Sequence, residues 1–130
     1  VTDAEWQRWQ EWREERWKVF DLELAPTHRL KFFCWRPDRE LNPQCKEIAD
    51  IERAGASIMH RRPDGTLCEA AIHFDTPEVR RIFTNANSLW QVLSWEPLTV
   101  SPSLLCCAEL PSGEKCGDHG FIREGRWVVA

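Results

Sequence analysis

Apolar positions change period several times along this chain, and each change predicts an element. Thr2 and Glu5 stand at capping-box spacing, which predicts a helix from there to about residue 20. At about 100° per residue, Trp6, Trp9, Trp17 and Phe20 fall on one stripe, with Trp12 and Val19 on its flank. Leu22 to Pro26 reads as a connector, and His28 to Trp35 as a strand. Asn42 followed by Pro43 looks like a helix start, and Gly55 like a helix stop. Cys45, Ile48, Ala49 and Ile51 keep helical spacing between them, predicting a helix over 43–54.

A hairpin is the clearest β signal. Ala56 to Arg62 and Thr66 to Phe74 flank Pro63-Asp64-Gly65, a three-residue turn whose glycine can take positive φ. If Arg62 faces Thr66, then His60 lies opposite Cys68, Ile58 opposite Ala70 and Ala56 opposite Ile72. Asp75 or Thr76 caps a short helix opened by Pro77, with Val79, Ile82 and Phe83 inward. Asn85 to Ser88 breaks it, and Leu89 to Trp95 alternates like a strand. Pro97 and Pro102 confine the next stretch to edge or extended geometry, and Phe121 to Val129 reads as a hairpin turning at Glu124-Gly125. The expected fold is therefore α+β: a Trp-rich N-terminal helix, a small antiparallel sheet and one or two short helices. A chain of 130 residues without repeats or linkers fits a single domain, 1–130. Within it, 1–20 forms an amphipathic helical arm and 28–130 an α+β body.

Composition changes this picture in three ways. Eight Trp against six Phe and no Tyr is unusual, and four of the Trp fall within the predicted arm. A net charge of −4 argues against general coating of nucleic acid, which needs a cationic excess to displace counterions. No stretch approaches the roughly 20 apolar residues that span a bilayer, and the charge-dense N-terminus is unlike a signal peptide. These features predict a protein of a reducing cytoplasm, where six cysteines read as thiols or metal ligands.

The candidate chemistry lies near the C-terminus. Cys116 and His119 have Cys-x-x-His spacing, with Gly117 and Gly120 leaving the backbone free to bend; Cys106 and Cys107 lie upstream across a Pro- and Gly-bearing loop. Zinc takes four thiolate or imidazole ligands in a tetrahedron, so Cys106, Cys107, Cys116 and His119 are the candidate metal set. Adjacent cysteines seldom both bind one ion with relaxed geometry, so Cys68 or His60 of the hairpin stands as an alternative fourth ligand. Cys34 and Cys45 sit on apolar faces and read as small core hydrophobes; His28 and His73 read as surface or half-buried strand residues.

The segments Trp95-Glu96-Pro97-Leu98-Thr99-Val100-Ser101-Pro102-Ser103-Leu104-Leu105-Cys106 and Cys116-Gly117-Asp118-His119-Gly120-Phe121-Ile122-Arg123-Glu124-Gly125-Arg126-Trp127-Val128 resemble a family of small uncharacterised phage and prophage proteins. Members end in a Ser-Pro-Ser segment, a Cys-x-x-Cys-Gly-x-His-Gly-type zinc knuckle and a short hairpin. The resemblance covers roughly Trp95 to Ala130. The stretch from Cys107 to Lys115 departs from it, because members have a much shorter gap there. The resemblance implies a phage origin and a metal site, and no established activity.

Three roles follow as expectations. The first is a non-catalytic, zinc-stabilised structural or interaction protein of the host bacterial cytoplasm or the virion. It would dock other phage subunits, or a second copy, through Trp6, Trp9, Trp12, Trp17 and Phe20. The second is a nucleic-acid-binding zinc module using Arg61, Arg62, Arg80, Arg81, Arg123 and Arg126 beside Trp127. The third is a metal-dependent hydrolase with Asp118 or Glu124 as base, although no catalytic motif accompanies them. No membrane partner and no small-molecule substrate is indicated.

Overall fold

The computed structural model describes residues 2–43, 50–83 and 89–130. Helix α1 spans Asp3–Trp17. Its start follows from the capping box: Thr2 Oγ1 accepts the Glu5 N–H at 3.1 Å, and the Glu5 carboxylate accepts the Thr2 N–H at 3.5 Å. The helix stops at Trp17, so Phe20 lies beyond its end and is not part of a helical stripe.

Among the described residues, nine strands follow: β1 Leu22–Ala25, β2 His28–Trp35, β3 Ile51–Arg61, β4 Leu67–Phe74, β5 Leu89–Trp95, β6 Leu98–Ser101, β7 Leu104–Leu105, β8 His119–Arg123 and β9 Arg126–Val129. A one-turn helix, α2 Pro77–Arg80, is capped by Thr76, whose hydroxyl accepts the Val79 N–H. The first six strands form one sheet in sequence order, antiparallel except at β4–β5; β7, β8 and β9 form a second, three-stranded sheet. The architecture is α+β, dominated by antiparallel pairing.

The central hairpin has the expected register, with His60 opposite Cys68, Ile58 opposite Ala70 and Ala56 opposite Ile72. Two expectations need correction. Leu22 to Ala25 is a strand paired with β2, because alternating Leu22 and Leu24 give it an apolar face that packs with the core. Residues 51–54 open β3 and are not a helix; residues 44–49 of that predicted helix lie outside the described residues, as does the predicted break over Asn85–Ser88. Gly55 stops nothing. It sits mid-strand where a Cβ would fall 2.1 Å from the Ile72 carbonyl oxygen and 2.4 Å from Phe33 Cζ, so glycine is required by close packing.

One apolar cluster joins the two sheets: Leu24, Leu30, Ala56, Ile58, Ile72, Phe74, Leu98 and Val100 of the larger meet Leu104 and Ile122 of the smaller. Hydrogen bonds add to this, from Gly125 N–H to the Leu98 carbonyl at 2.7 Å and from Glu124 N–H to the Thr99 side-chain hydroxyl at 2.9 Å. The opposite face of the central hairpin carries a second cluster, Met59 and Leu67 under Trp17 and Phe20. This is where α1 docks. The docking is partly polar: Gln10 Oε1 accepts the Leu67 N–H at 2.7 Å, Gln10 Nε2 donates to the Leu67 carbonyl at 3.1 Å, and Arg13 donates to the same carbonyl at 3.0 Å. Arg16 pairs with Glu69, and Arg61 with Glu14. Positions 10, 13 and 17 thus face the sheet, leaving Trp9 at 46% and Trp12 at 56% exposure. No helix among the described residues is long and apolar enough to cross a membrane.

Candidate metal centre

Four ligand atoms meet between the two sheets. His60, Cys68, Cys106 and Cys116 each offer one, all within 4.8 Å of one another. His60 and Cys68 are a directly opposed pair on β3 and β4. Strand pleating sends both side chains to one face, the face toward the second sheet. Cys106 follows β7, and Cys116 precedes β8.

The two cysteine turns are built alike. The Ala108 N–H donates to the Cys106 sulfur, and the Asp118 N–H donates to the Cys116 sulfur, each two residues along. Backbone bonds lace the turns together: Cys106 N–H to Asp118 O at 2.8 Å, Gly117 N–H to Cys106 O at 3.0 Å, and Cys116 N–H to Ala108 O at 2.8 Å. Gly117 has φ of +74°, a conformation that glycine takes at no steric cost. Both sulfurs are therefore aimed by backbone, and each receives an N–H suited to a thiolate.

Electrostatics agree. The Cys106 thiol is held down to about 4, first by a hydrogen bond from Cys68 and then by His60 and the Ala108 N–H, against the effect of burial. Cys68 is pushed up because it serves as the donor to that thiolate and is desolvated, and Cys116 is pushed up mainly by burial. One negative charge is accommodated without a cation, and further ionisation meets repulsion. A divalent ion relieves it by neutralising the thiolates.

An imidazole–carboxylate layer lies behind. His60 Nε2 is 3.6 Å from Cys116 Sγ, and its Nδ1 is 3.8 Å from Asp118 Oδ2. Asp118 Oδ2 also accepts from His28 Nε2 at 2.7 Å, while the Thr27 hydroxyl lies 2.8 Å from His28 Nδ1. A carboxylate can only accept, so His28 carries its proton on Nε2. Burial lowers its pKa, keeping the ring neutral. Its ring stacks on Trp127 at 4.3 Å and faces His60 at 5.3 Å. His28, expected at the surface or half-buried, is 5% exposed, and Asp118 is tied to it by a hydrogen bond.

Among the expected ligands, Cys106 and Cys116 reach the cluster, and Cys107 and His119 do not. Cys107 is exposed, with its thiol 3.8 Å from the Leu105 carbonyl. His119 is exposed and bonds Ser103 Oγ through Nε2 at 2.8 Å. Pleating is the reason: His119 pairs with Leu105 and shares its outward side, while Gly120 and Leu104 point inward. The two residues that complete the cluster, His60 and Cys68, were legible as a cross-strand pair. His28 was missed because nothing in its local sequence marks it; its partner lies 90 residues away. Cys34, read as a core residue, is exposed; Cys45 lies outside the described residues.

The donor set fits a metal. Three sulfurs and one nitrogen suit zinc, whose ~2.3 Å bonds to sulfur would need modest closing of the cluster. A comparison with protein-family models, curated proteins and solved structures gives no match to this chain.

Proposed function

We propose that this protein is a non-catalytic interaction module whose two sheets are stapled by a structural zinc ion on His60, Cys68, Cys106 and Cys116. The convergence of four ligand atoms from two strands and two turns carries the reading. Thiolate and imidazole donors favour zinc over oxygen-seeking magnesium or calcium. Four protein ligands fill a tetrahedron and leave no position for water, which argues for a structural ion and against a hydrolase. The nucleic-acid reading is weakened by the arginines that would have formed the patch: Arg61 is engaged by Glu14, Arg62 by Asp64 and Arg80 by Asp75. Trp9 and Trp12, held outward by the polar docking of α1, supply an aromatic surface for a protein partner. A phage setting, in the host cytoplasm or the virion, rests on the resemblance of the C-terminal segment alone.

Native mass spectrometry tests the metal. One zinc per chain is expected, lost in Cys68→Ser, Cys106→Ser, Cys116→Ser and His60→Ala, and kept in Cys107→Ser and His119→Ala. Zinc that survives His60→Ala but not His119→Ala would overturn the ligand set. Sedimentation tests the surface: a dimer abolished by joint substitution of Trp9 and Trp12 with Ser would identify a second copy as the partner.

A further inference from the structure

Helix α1 carries four tryptophans, and two of them hold a cation. The Arg16 guanidinium lies 4.7 Å from the Trp12 ring centre, and those of Arg29 and Arg61 lie 4.4 and 5.2 Å from that of Trp17. All three are within reach of a cation–π contact. Trp6 and Trp9 differ: among the described residues, no guanidinium or ammonium covers either ring. Arg13, one turn beyond Trp9, is committed to the Leu67 carbonyl at 3.0 Å. Arg8 leaves the helix about 100° from Trp9 and about 160° from Trp6.

The two free rings instead form one wall of a cavity of about 250 Å³. They are i,i+3 neighbours on the same side of the helix. The facing wall is the loop between Cys106 and Cys116, through Glu109, Leu110, Pro111 and Gly113. That wall is shaped by its own backbone: Glu109 bridges Lys115, and the Gly113 N–H donates to the Leu110 carbonyl at 2.8 Å. Glu109 is the charged residue of the lining. Its ion pair with Lys115 is long, 3.7 Å, and both side chains are well exposed, so the carboxylate is loosely held. Nearby charge has the same sign, with Asp3 and Glu5 in the first turn of α1 and Glu114 in the loop. The start of the helix offers no competing anion site. Thr2 takes the Glu5 and Trp6 N–H groups, and Asp3 and Glu5 complement the positive end. Two indoles facing a carboxylate are complementary to an organic cation.

We propose that this cavity receives an arginine side chain of a partner protein, its guanidinium stacking on Trp6 and Trp9 and donating to the Glu109 carboxylate. Arginine is preferred to lysine because a planar, weakly hydrated cation stacks on a ring and still presents N–H groups at its edge. Lys115 is the internal competitor for Glu109. The inference rests on the reading of the α1 tryptophans as a protein-binding face, and names the chemistry that face selects.

The test titrates the full chain with three short, end-blocked peptides that differ at one central residue: arginine, citrulline or norleucine. Citrulline keeps the planar shape and removes the charge. The readout is the shift of the Trp6 and Trp9 indole N–H signals in two-dimensional NMR, with Trp95 as the bystander. The arginine peptide is expected to bind at least about fivefold more tightly than the citrulline peptide, and the norleucine peptide no better than citrulline. Trp9→Leu and Glu109→Gln should each weaken arginine binding about threefold or more, and Lys115→Gln should strengthen it. All three positions are exposed, so the fold is not at stake. Equal binding of arginine and citrulline, or indifference to Glu109→Gln, overturns the cation pocket and leaves the Trp face as an apolar docking surface. Binding that is lost in Trp12→Ser and kept in Trp9→Leu overturns it too, by placing the contact elsewhere on that face. No indole shift with any peptide overturns it outright, and sedimentation of the joint Trp9 and Trp12 variant stays as the separate test of the Trp face.

Discussion

Two neighbouring cysteines show how much a single residue step decides. Cys106 and Cys107 are chemically identical, but consecutive residues leaving a strand face opposite ways, and Cys106 turns toward His60 and Cys68. At the same scale, Asp118 faces the far side of the His60 ring and is itself fixed by His28. A carboxylate there favours one orientation of a ligand imidazole. Asp118→Asn should therefore weaken zinc binding about 10- to 100-fold, measured by competition with a chromogenic chelator, while leaving one zinc bound at saturation. His73 offers a pH prediction. It lies among Phe33, Trp35 and Phe83, and burial lowers its pKa. The unfolded imidazole titrates near pH 6.5, so below that value the unfolded chain binds the proton first. Stability present above about pH 6.5 should be lost as pH falls through the lower folded value. With zinc saturating, the drop in Tm from about pH 7.5 to about pH 5.5 should be smaller in His73→Gln than in wild type.

At the scale of elements, local sequence signals carry through to the fold and distant contacts leave no local mark. The capping box placed the start of α1, and the Pro63-Asp64-Gly65 turn placed the β3–β4 register, because each is decided by a few adjacent residues. The helical spacing over 43–54 gives way to strand at 51–54, because Gly55 looks the same in sequence whether it ends a helix or admits a close contact. The metal set was half legible: the hairpin pair could be aligned, but its meeting with Cys106 and Cys116 depends on how the second sheet packs. The face of α1 was also set by tertiary partners. Gln10 and Arg13 claim the Leu67 edge, which turns Trp9 and Trp12 away. Trp17 anchors the helix over Met59 and Leu67, with the Arg29 and Arg61 guanidinium groups against its ring. Trp17→Ala should cost about 3–5 kcal/mol in denaturant unfolding and release α1, seen as loss of far-ultraviolet helical signal. Trp12→Ala, at an exposed position, should leave stability within about 0.5 kcal/mol.

For the whole molecule, the candidate metal site sits where the two sheets meet, and removal of an ion from it should not act evenly. The core across that junction keeps Leu104 and Ile122 buried against the larger sheet, so apolar packing alone holds β7 and β8 near their places. The loop between Cys106 and Cys116 has less. Its internal support is a short ribbon, with Leu110 N–H to Glu114 O and Gly113 N–H to Leu110 O at 2.8 Å each, and its residues are largely exposed. Without an ion, the clustered thiols must keep protons, since only Cys106 is favoured as a thiolate. Zinc binding to the folded apoprotein near pH 7 should then release about two protons, from Cys68 and Cys116. Calorimetry in buffers of different ionisation enthalpy measures this; release of three would show that Cys106 is protonated too. Chelation should lower Tm and speed amide exchange first over 106–118, then over β7 to β9, with β2 to β4 protected longest. Uniform exchange across both sheets would show instead that the molecule unfolds as one unit when the ion leaves, making zinc a condition of folding rather than a staple between two preformed sheets.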